Sequence, residues 1–280
     1  MVGSQTRGIG GWILRAFYLL LLTTGAFVMI IPFLWSVSTA LKPLGESVAF
    51  PPIWWPHPIM WNNFVITWKI VPLARWFFNS LLVAFVVVLG NLLFDSLAGY
   101  ALARIRFKGR SLIFLSIISM LMIPFQAIML PTYILLRDLG LINTYWGMIL
   151  PTIISAMGVF LMRQAFLGIP AEIDEAAIID GASRWRMFWQ IALPMVKPNL
   201  LTLALLTFLG SWNNFLLPLL VANNPKLWTL PLGMVMFQQQ YFTNWPYLMA
   251  SVVMATIPTA ILFLLFQRWF VEGISTTGIR

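Results

Sequence analysis

Six long apolar stretches constrain the fold of this chain more than any other feature of its sequence. A transmembrane helix needs roughly 20 predominantly apolar residues, and the 280-residue chain reaches that length six times. Charged residues make up 9% of the chain, whereas soluble domains contain about 25%. We therefore predict an all-α polytopic membrane protein. The predicted spans are approximately 16–37, 80–102, 112–136, 146–166, 200–221 and 248–266.

The basic residues predict which side of the membrane each loop occupies. An even number of spans places both termini on one side. If that side is the cytoplasm, twelve of the 17 Lys and Arg residues lie there, as the positive-inside rule favours. The first apolar stretch is longer than a typical signal-peptide core and no convincing cleavage site follows it, so we expect a retained helix. The prediction is a multi-pass protein of the cytoplasmic membrane with both termini inside.

The available side chains exclude several kinds of chemistry. The chain has no Cys and a single His, His57, in a Pro- and Trp-rich segment, so we expect no disulfide, no metal site and no histidine-dependent catalysis. The Walker A pattern GxxxxGK[ST] is absent, so nucleotide hydrolysis is not expected of this chain. The net charge is +9, but no long Lys/Arg run occurs. We therefore expect no nucleic-acid partner.

The longest polar interruption in the C-terminal two thirds of the chain is the segment 170–198. Pro170 suits the start of a helix, and the acids that follow lie near the positive end of its dipole. Gly181 suits the left-handed residue that ends such a helix, and Ser183 suits the cap of a second helix that Pro194 stops. We predict an elbow of two short helices outside the lipid. Four of the eight acids of the chain lie in this elbow, at Glu172, Asp174, Glu175 and Asp180.

The spacing within this elbow resembles the EAA loop of ABC-importer permeases. Glu175-Ala176-Ala177 is followed by three residues, Gly181, nine residues and Ile191-Ala192-Leu193-Pro194, which matches EAA-x3-G-x9-I-x-LP throughout. The resemblance implies that this loop couples the permease to a cytoplasmic ATPase by sitting in a cleft of that ATPase. It assigns coupling roles to Glu175, Ala176, Ala177, Asp180, Gly181, Ile191, Leu193 and Pro194.

Other stretches resemble carbohydrate-importer permeases of the maltose type. They are the sequence GYALARIRFKGR at 99–110, SWNNFLLPL at 211–219 and the C-terminal tail. The resemblance implies the smaller permease subunit of a type I importer, with six transmembrane helices. The implied regions are an N-terminal helix and outer loop at 1–75, a transmembrane core at 76–267 that contains the coupling loop 170–198, and a cytoplasmic tail at 268–280.

The same resemblance implies the function and the partners. A sugar or oligosaccharide would cross by alternating access, with glycerol phosphate or another polyol derivative as the alternative substrate. The implied partners are a second homologous permease, two copies of an ABC ATPase that bind ATP and Mg²⁺, and an extracytoplasmic solute-binding protein. The outer loop at 222–245, including Gln238 to Gln240, would face that binding protein. The chain itself would hold no cofactor.

Polar residues within the spans are candidates for a translocation pathway. Asp95 recurs with Asn91 and Gly99 every four residues, which places all three on one helix face. An acid in the membrane should face protein or water, and a structural hydrogen-bonding role is favoured for Asp95. Gln126 is a second candidate, between two prolines of the third span.

The fifth span supplies the remaining candidates, Trp212, Asn213 and Asn214. A Trp face can pack on a sugar ring while the amides hydrogen-bond its hydroxyls, although amides also bridge membrane helices. An ion-coupled secondary transporter is the alternative class of protein, but Asp95 is the only acid well inside a span. A scaffold without transport activity also stays open.

Overall fold

The structure is a computed structural model that describes residues 9–238 and 243–275. Within these ranges the secondary structure is helical apart from one isolated antiparallel bridge between Gln238 and Thr243. Gln239, Gln240 and the end of the predicted tail, 276–280, lie outside the described residues. The chain divides into two compact units, which are Met1–Val71 with Met236–Thr256, and Pro72–Val235 with Ile257–Arg280.

The first unit begins with a long apolar helix. Its helices are α1 (Ile9–Ala40), α2 (Leu44–Ser47) and α3 (Asn62–Ile70). The most apolar window of α1 has none of its residues buried within the protein, as suits a helix in contact with lipid. The side-chain amide of Asn63 donates to the carbonyl oxygens of Ala40 at 2.8 Å and Lys42 at 2.9 Å. These bonds attach α3 to the end of α1.

The second unit is built around one 32-residue helix, α4 (Leu73–Arg104). The helices that follow are α5 (Arg110–Ser119), α6 (Phe125–Asp138), α7 (Tyr145–Ile149), α8 (Ala156–Leu167), α9 (Ala171–Ile179), α10 (Arg184–Arg186), α11 (Leu193–Met195), α12 (Lys197–Trp212), α13 (Leu216–Val221) and α14 (Leu230–Met234). The last helix, α15 (Trp245–Ser275), begins in the first unit and ends in the second.

Helix α4 packs along α8 and α12, and Gly99 sets the closeness of the first contact. A Cβ atom at Gly99 would lie 2.7 Å from Cβ of Met162 and 2.8 Å from the backbone nitrogen of Arg163. Because Gly99 has no side chain, the backbones of α4 and α8 come into direct contact here. Asn91 and Asp95, on the same face of α4, are buried, so the predicted polar and small stripe does face the interior.

Only three of the six predicted spans are single helices. These are Leu14–Ala40, Leu73–Arg104 and Trp245–Phe266. The other apolar stretches are bent pairs, Arg110–Met122 with Phe125–Asp138 at 104°, Tyr145–Thr152 with Ala156–Leu167 at 42°, and Arg184–Met195 with Lys197–Trp212 at 79°. Among residues 9–238 and 243–275, three helices are therefore long and apolar enough to cross a membrane, and the number rises to six if each bent pair is one span.

Local chemistry explains why the predicted continuous helices are broken. Ile123 precedes Pro124 and takes extended backbone angles, because a residue before proline avoids the helical region. Ser155 has an extended backbone, and its hydroxyl oxygen accepts a hydrogen bond from the backbone nitrogen of Gly158 at 2.9 Å. Ser155 therefore caps the start of a new helix, α8. The predicted fifth span, 200–221, is interrupted after α12, and Oδ1 of Asn214 accepts a hydrogen bond from the backbone nitrogen of Leu217 in the first turn of α13.

Candidate functional site

The predicted elbow begins with α9, which ends in a left-handed glycine. Gly181 has φ of +75°, and its N–H donates to the carbonyl oxygen of Ile178 at 3.0 Å. The next N–H, of Ala182, donates to the carbonyl oxygen of Ala177 at 2.9 Å. Together these bonds form a Schellman motif, in which two otherwise unpaired helix carbonyls are satisfied. The predicted turn of the chain at Gly181 is therefore formed.

The second arm of the elbow starts at its predicted cap and ends one residue after Pro194. The hydroxyl oxygen of Ser183 accepts from the backbone nitrogen of Arg186 at 3.3 Å. A π-helical run, Met187–Ala192, leads into α11, which includes Pro194. The arm ends at Met195, and α12 begins at Lys197 at an angle of 79° to it. The predicted stop at Pro194 is therefore met to within one residue.

The elbow is attached to the end of α4 by an arginine. The Arg104 guanidinium forms an ion pair with Asp174 at 3.2 Å and also donates to the carbonyl oxygen of Ile169. Both charged side chains are mostly buried, with 12% and 24% exposure, so this pair is less screened than a surface pair. The sequence analysis did not predict this contact. The cluster of acids in α9 was the available signal.

An aromatic cluster underlies the second arm of the elbow. The ring of Tyr100 on α4 meets Phe166 at a centroid distance of 5.4 Å and Phe188 at 5.2 Å, both edge to face. Phe166 and Phe188 are buried. Such pairs pack favourably beyond their buried area. The second arm therefore shares a core with α4 and α8.

The outer surface of the elbow is apolar at its tip. Ile178, Ile179 and Trp185 are 63%, 85% and 64% exposed, and these three side chains are called the elbow knob below. Glu175 and Ala176 are exposed beside it. The acids of the same helix make contact with lipid unfavourable, and a cluster of exposed large apolar side chains marks a protein contact. The knob therefore has the composition of a docking surface.

The predicted coupling residues do not all reach this surface. Glu175, Ala176, Asp180 and Gly181 are exposed, whereas Ala177 is buried. The small side chain of Ala177 therefore packs within the chain. In the second arm, Pro194 is exposed and Ile191 and Leu193 are half-buried.

A second feature is a cleft of about 250 Å³ between α4, α8 and α12, whose lining is mostly apolar but includes six uncharged polar residues. Asn91 donates its side-chain amide to the carbonyl oxygen of Thr152 at 2.8 Å. Its amide oxygen accepts from the hydroxyl of Thr207 at 3.4 Å. No charged side chain lines the cleft in the described part of the chain. The polar side chains that line it are Asn91, Thr152, Ser155, Thr207, Ser211 and Asn214.

Of the five predicted pathway residues, Asn214 alone lines this cleft. Trp212 is buried, with its ring 5.5 Å from that of Phe208. Asn213 is exposed and donates to the carbonyl oxygen of Leu209 at 2.9 Å. Gln126 is exposed on α6. The sequence missed Thr207 and Thr152 as cleft residues, because Ser and Thr are common in membrane helices and only their register identifies the ones that face inward.

The fifth predicted residue, Asp95, lies behind the cleft and supports its wall. Its carboxylate accepts one hydrogen bond from the backbone nitrogen of Ser155 and a second from the Ser155 hydroxyl, both at 3.0 Å. A Cβ at Gly158 would come within 1.9 Å of Oδ2 of Asp95. An acid at a helix N-terminus is favourably placed, and here it fixes the start of α8. Within the described residues, no group of three or more His, Cys, Asp or Glu side chains is arranged to hold a metal ion.

Comparison with known proteins agrees with this architecture. The family model described as "Binding-protein-dependent transport system inner membrane component" matches residues 95–276. The chain is 38% identical to the arabinooligosaccharides transport system permease protein AraQ of Halalkalibacterium halodurans over 279 residues, covering 99% of each. It is 35% identical to the sn-glycerol-3-phosphate transport system permease protein UgpE of Yersinia enterocolitica over 227 residues, covering 78% of this chain and 81% of UgpE.

The fold is also that of a solved transporter. A bacterial ABC transporter involved in the import of alginate superposes with a TM-score of 0.83 at 21% identity, covering 95% of this chain and all of the matched chain. The chain belongs to the family of binding-protein-dependent inner membrane transport components. It is a permease subunit of an ABC importer, and its relatives are named as transport permeases and not as enzymes. The resemblance and the predicted fold class are confirmed.

Proposed function

We propose that this chain forms part of the path of a neutral carbohydrate and couples that path to an ATPase through the elbow. The observation that carries the proposal is that one unit holds both the exposed apolar knob and an uncharged cleft into whose mostly apolar lining several hydroxyl and amide groups are set. AraQ is named for arabinooligosaccharides, and this name supports a carbohydrate as the substrate class. The structurally similar transporter imports alginate, an acidic polysaccharide, so its name supports a carbohydrate but not a neutral one.

The lining of the cleft favours a neutral polyol over a phosphate. Hydroxyls and amides both donate and accept hydrogen bonds, which matches the hydroxyls of a sugar. A phosphate is best recognised by Arg or Lys, and no such residue lines the cleft among the described residues. The second candidate, glycerol phosphate, is supported by the name of UgpE. Its phosphate would need a cation supplied by another subunit.

The elbow is the proposed contact with the ATPase. Its knob would enter an apolar cleft of that subunit, and Glu175 at its edge would pair with a basic side chain. The importer would comprise a second homologous permease, two ATPase copies that bind ATP and Mg²⁺, and an extracytoplasmic binding protein. The excess of basic residues on the elbow side supports a cytoplasmic location for the elbow and both termini.

Two connections link the elbow to the cleft. The ion pair between Arg104 and Asp174 attaches α9 to α4, and α4 contributes Asn91 to the cleft. The second arm leads into α12, which contributes Thr207. Movement of the elbow on ATP binding would therefore displace two walls of the cleft together, as alternating access requires.

Removal of one cleft hydroxyl tests the substrate proposal. Thr207→Val keeps the side-chain shape and deletes the hydroxyl, so a sugar hydroxyl that bonds there would lose a partner at about 1–3 kcal/mol. We expect uptake of labelled arabinooligosaccharides by the co-expressed importer to fall by roughly 10-fold. Thr23→Val on α1, whose hydroxyl bonds its own helix, is the matched control and should retain uptake.

The competing substrate is tested in the same preparation. Labelled glycerol 3-phosphate should not be transported, and it should not compete with the sugar. Transport of glycerol 3-phosphate without sugar transport would overturn the carbohydrate assignment. Unchanged sugar uptake in Thr207→Val would remove the cleft from the pathway.

A further inference from the structure

The turn between α4 and α5 carries four cations in seven residues, at Arg104, Arg106, Lys108 and Arg110. This segment, 104–110, is called the basic turn below. It follows a 32-residue apolar helix directly and therefore lies at the level where lipid headgroups meet water. Its charges exceed what the described part of the chain neutralises, since Asp174 is the one acid in an ion pair with any of them.

Two of the four cations are engaged and two are free for a ligand. Arg104 is held by Asp174. Arg110 reaches the carbonyl oxygens of Ala103 and Ile105 at 3.4 Å. Arg106 and Lys108 are exposed, and neither makes an ion pair or side-chain hydrogen bond with the described residues. The basic turn therefore presents two unneutralised charges next to a fixed guanidinium.

The turn surrounds an open cavity of about 490 Å³. One part of its wall is cationic and polar, formed by Arg106, Arg110 and Ser111. Another part of the wall is apolar, formed by Phe107 and Leu112, which are both exposed. A soluble anion needs the first part only. A molecule with a phosphate head and hydrocarbon chains matches both parts.

We propose that the basic turn binds the headgroup of an anionic phospholipid. The phosphate lies between Arg106 and Arg110 with Lys108 alongside, and the acyl chains run past Phe107 and Leu112 along α5. Basic clusters immediately beside a transmembrane helix attract anionic lipids at short range. The site lies at the end of α4, next to Arg104, where that helix is attached to the elbow. The proposal concerns lipid and stands whether or not the carbohydrate assignment is correct.

Titration of the importer with lipids tests this site. The full chain with its co-purifying subunits, in detergent, is titrated with phosphatidylglycerol or phosphatidylcholine, and bound lipids are counted by native mass spectrometry. We expect tighter binding of phosphatidylglycerol, weakening as NaCl rises. In Arg106→Gln/Lys108→Gln, loss of two charges should weaken that binding by roughly 30-fold. Arg106→Lys/Lys108→Arg, which keeps both charges, should bind as the original chain does.

Matched controls separate this site from general electrostatics. Lys69→Gln/Arg75→Gln removes two exposed charges elsewhere and should leave phosphatidylglycerol binding unchanged. Inorganic phosphate at millimolar concentration should not displace the lipid. Equal binding of the two lipids, unchanged binding in Arg106→Gln/Lys108→Gln, or displacement by inorganic phosphate would each overturn the proposal.

Discussion

Replacing Ile179 with glutamate should uncouple the importer without unfolding the permease. Ile179 is 85% exposed at the elbow knob, so the substitution removes little packing within the chain. In a complex it would force a charge into an apolar contact. Loss of a central contact of this kind costs about 2–4 kcal/mol, or roughly 30- to 1000-fold in affinity. We expect substrate-stimulated ATP hydrolysis and uptake to fall together, measured in proteoliposomes with co-expressed subunits.

Two variants control this experiment. Ile179→Leu retains the apolar volume and should retain transport. Leu139→Glu makes the same type of change at a comparably exposed site, 61% exposed in the turn after α6, and should leave coupling intact. If Ile179→Glu supported stimulated hydrolysis and uptake at the original rates, the elbow knob would not be the ATPase contact.

Replacing Gly99 should destabilise the permease strongly, because α8 lies directly against this position. Even Gly99→Ala places a Cβ 2.8 Å from a backbone nitrogen of α8, and backbone cannot move aside as a flexible side chain can. Separating α4 from α8 also loosens the bond between Asp95 and Ser155. We expect destabilisation of about 2–4 kcal/mol, measured as a lower midpoint of thermal unfolding for the purified importer.

The matched control for this loss is a glycine in open space. Gly25 lies on α1 with nothing within 4 Å of its Cβ direction. Gly25→Ala should be neutral or slightly stabilising, because alanine favours a helix by about 1 kcal/mol over glycine. Equal thermal stability of Gly99→Ala and the original chain would show that α4 and α8 do not pack as described.

The elbow could be predicted from sequence because its signals are local. Gly181 must adopt a positive φ, and Ser183 caps the helix that follows within three residues. Each requirement is met by the residue itself and its immediate neighbours. The buried position of Ala177 could not be predicted in this way, since nothing in the sequence indicates which face of α9 meets the protein.

The broken spans show where apolar length alone misleads. Hydropathy recognises that 112–136 is apolar. The 104° bend, however, follows from the extended backbone of Ile123, the residue before Pro124. The cleft depends on register between distant helices, such as the contact of Asn91 on α4 with Thr207 on α12. Asp95 was correctly predicted to face inward from its spacing on α4. Its partner, Ser155, lies beyond a loop and could not be identified.

The central claim, that the elbow docks on the ATPase, is tested most directly by cysteine crosslinking. The chain contains no Cys, so a single thiol can be introduced without background. Ala176→Cys places it on the exposed surface beside the elbow knob, and Lys69→Cys places it on α3. With a maleimide–benzophenone reagent in native membranes, we expect a crosslink from position 176 to the ATPase and none from position 69. A crosslink from position 69, or none from position 176 in an intact importer, would contradict this account.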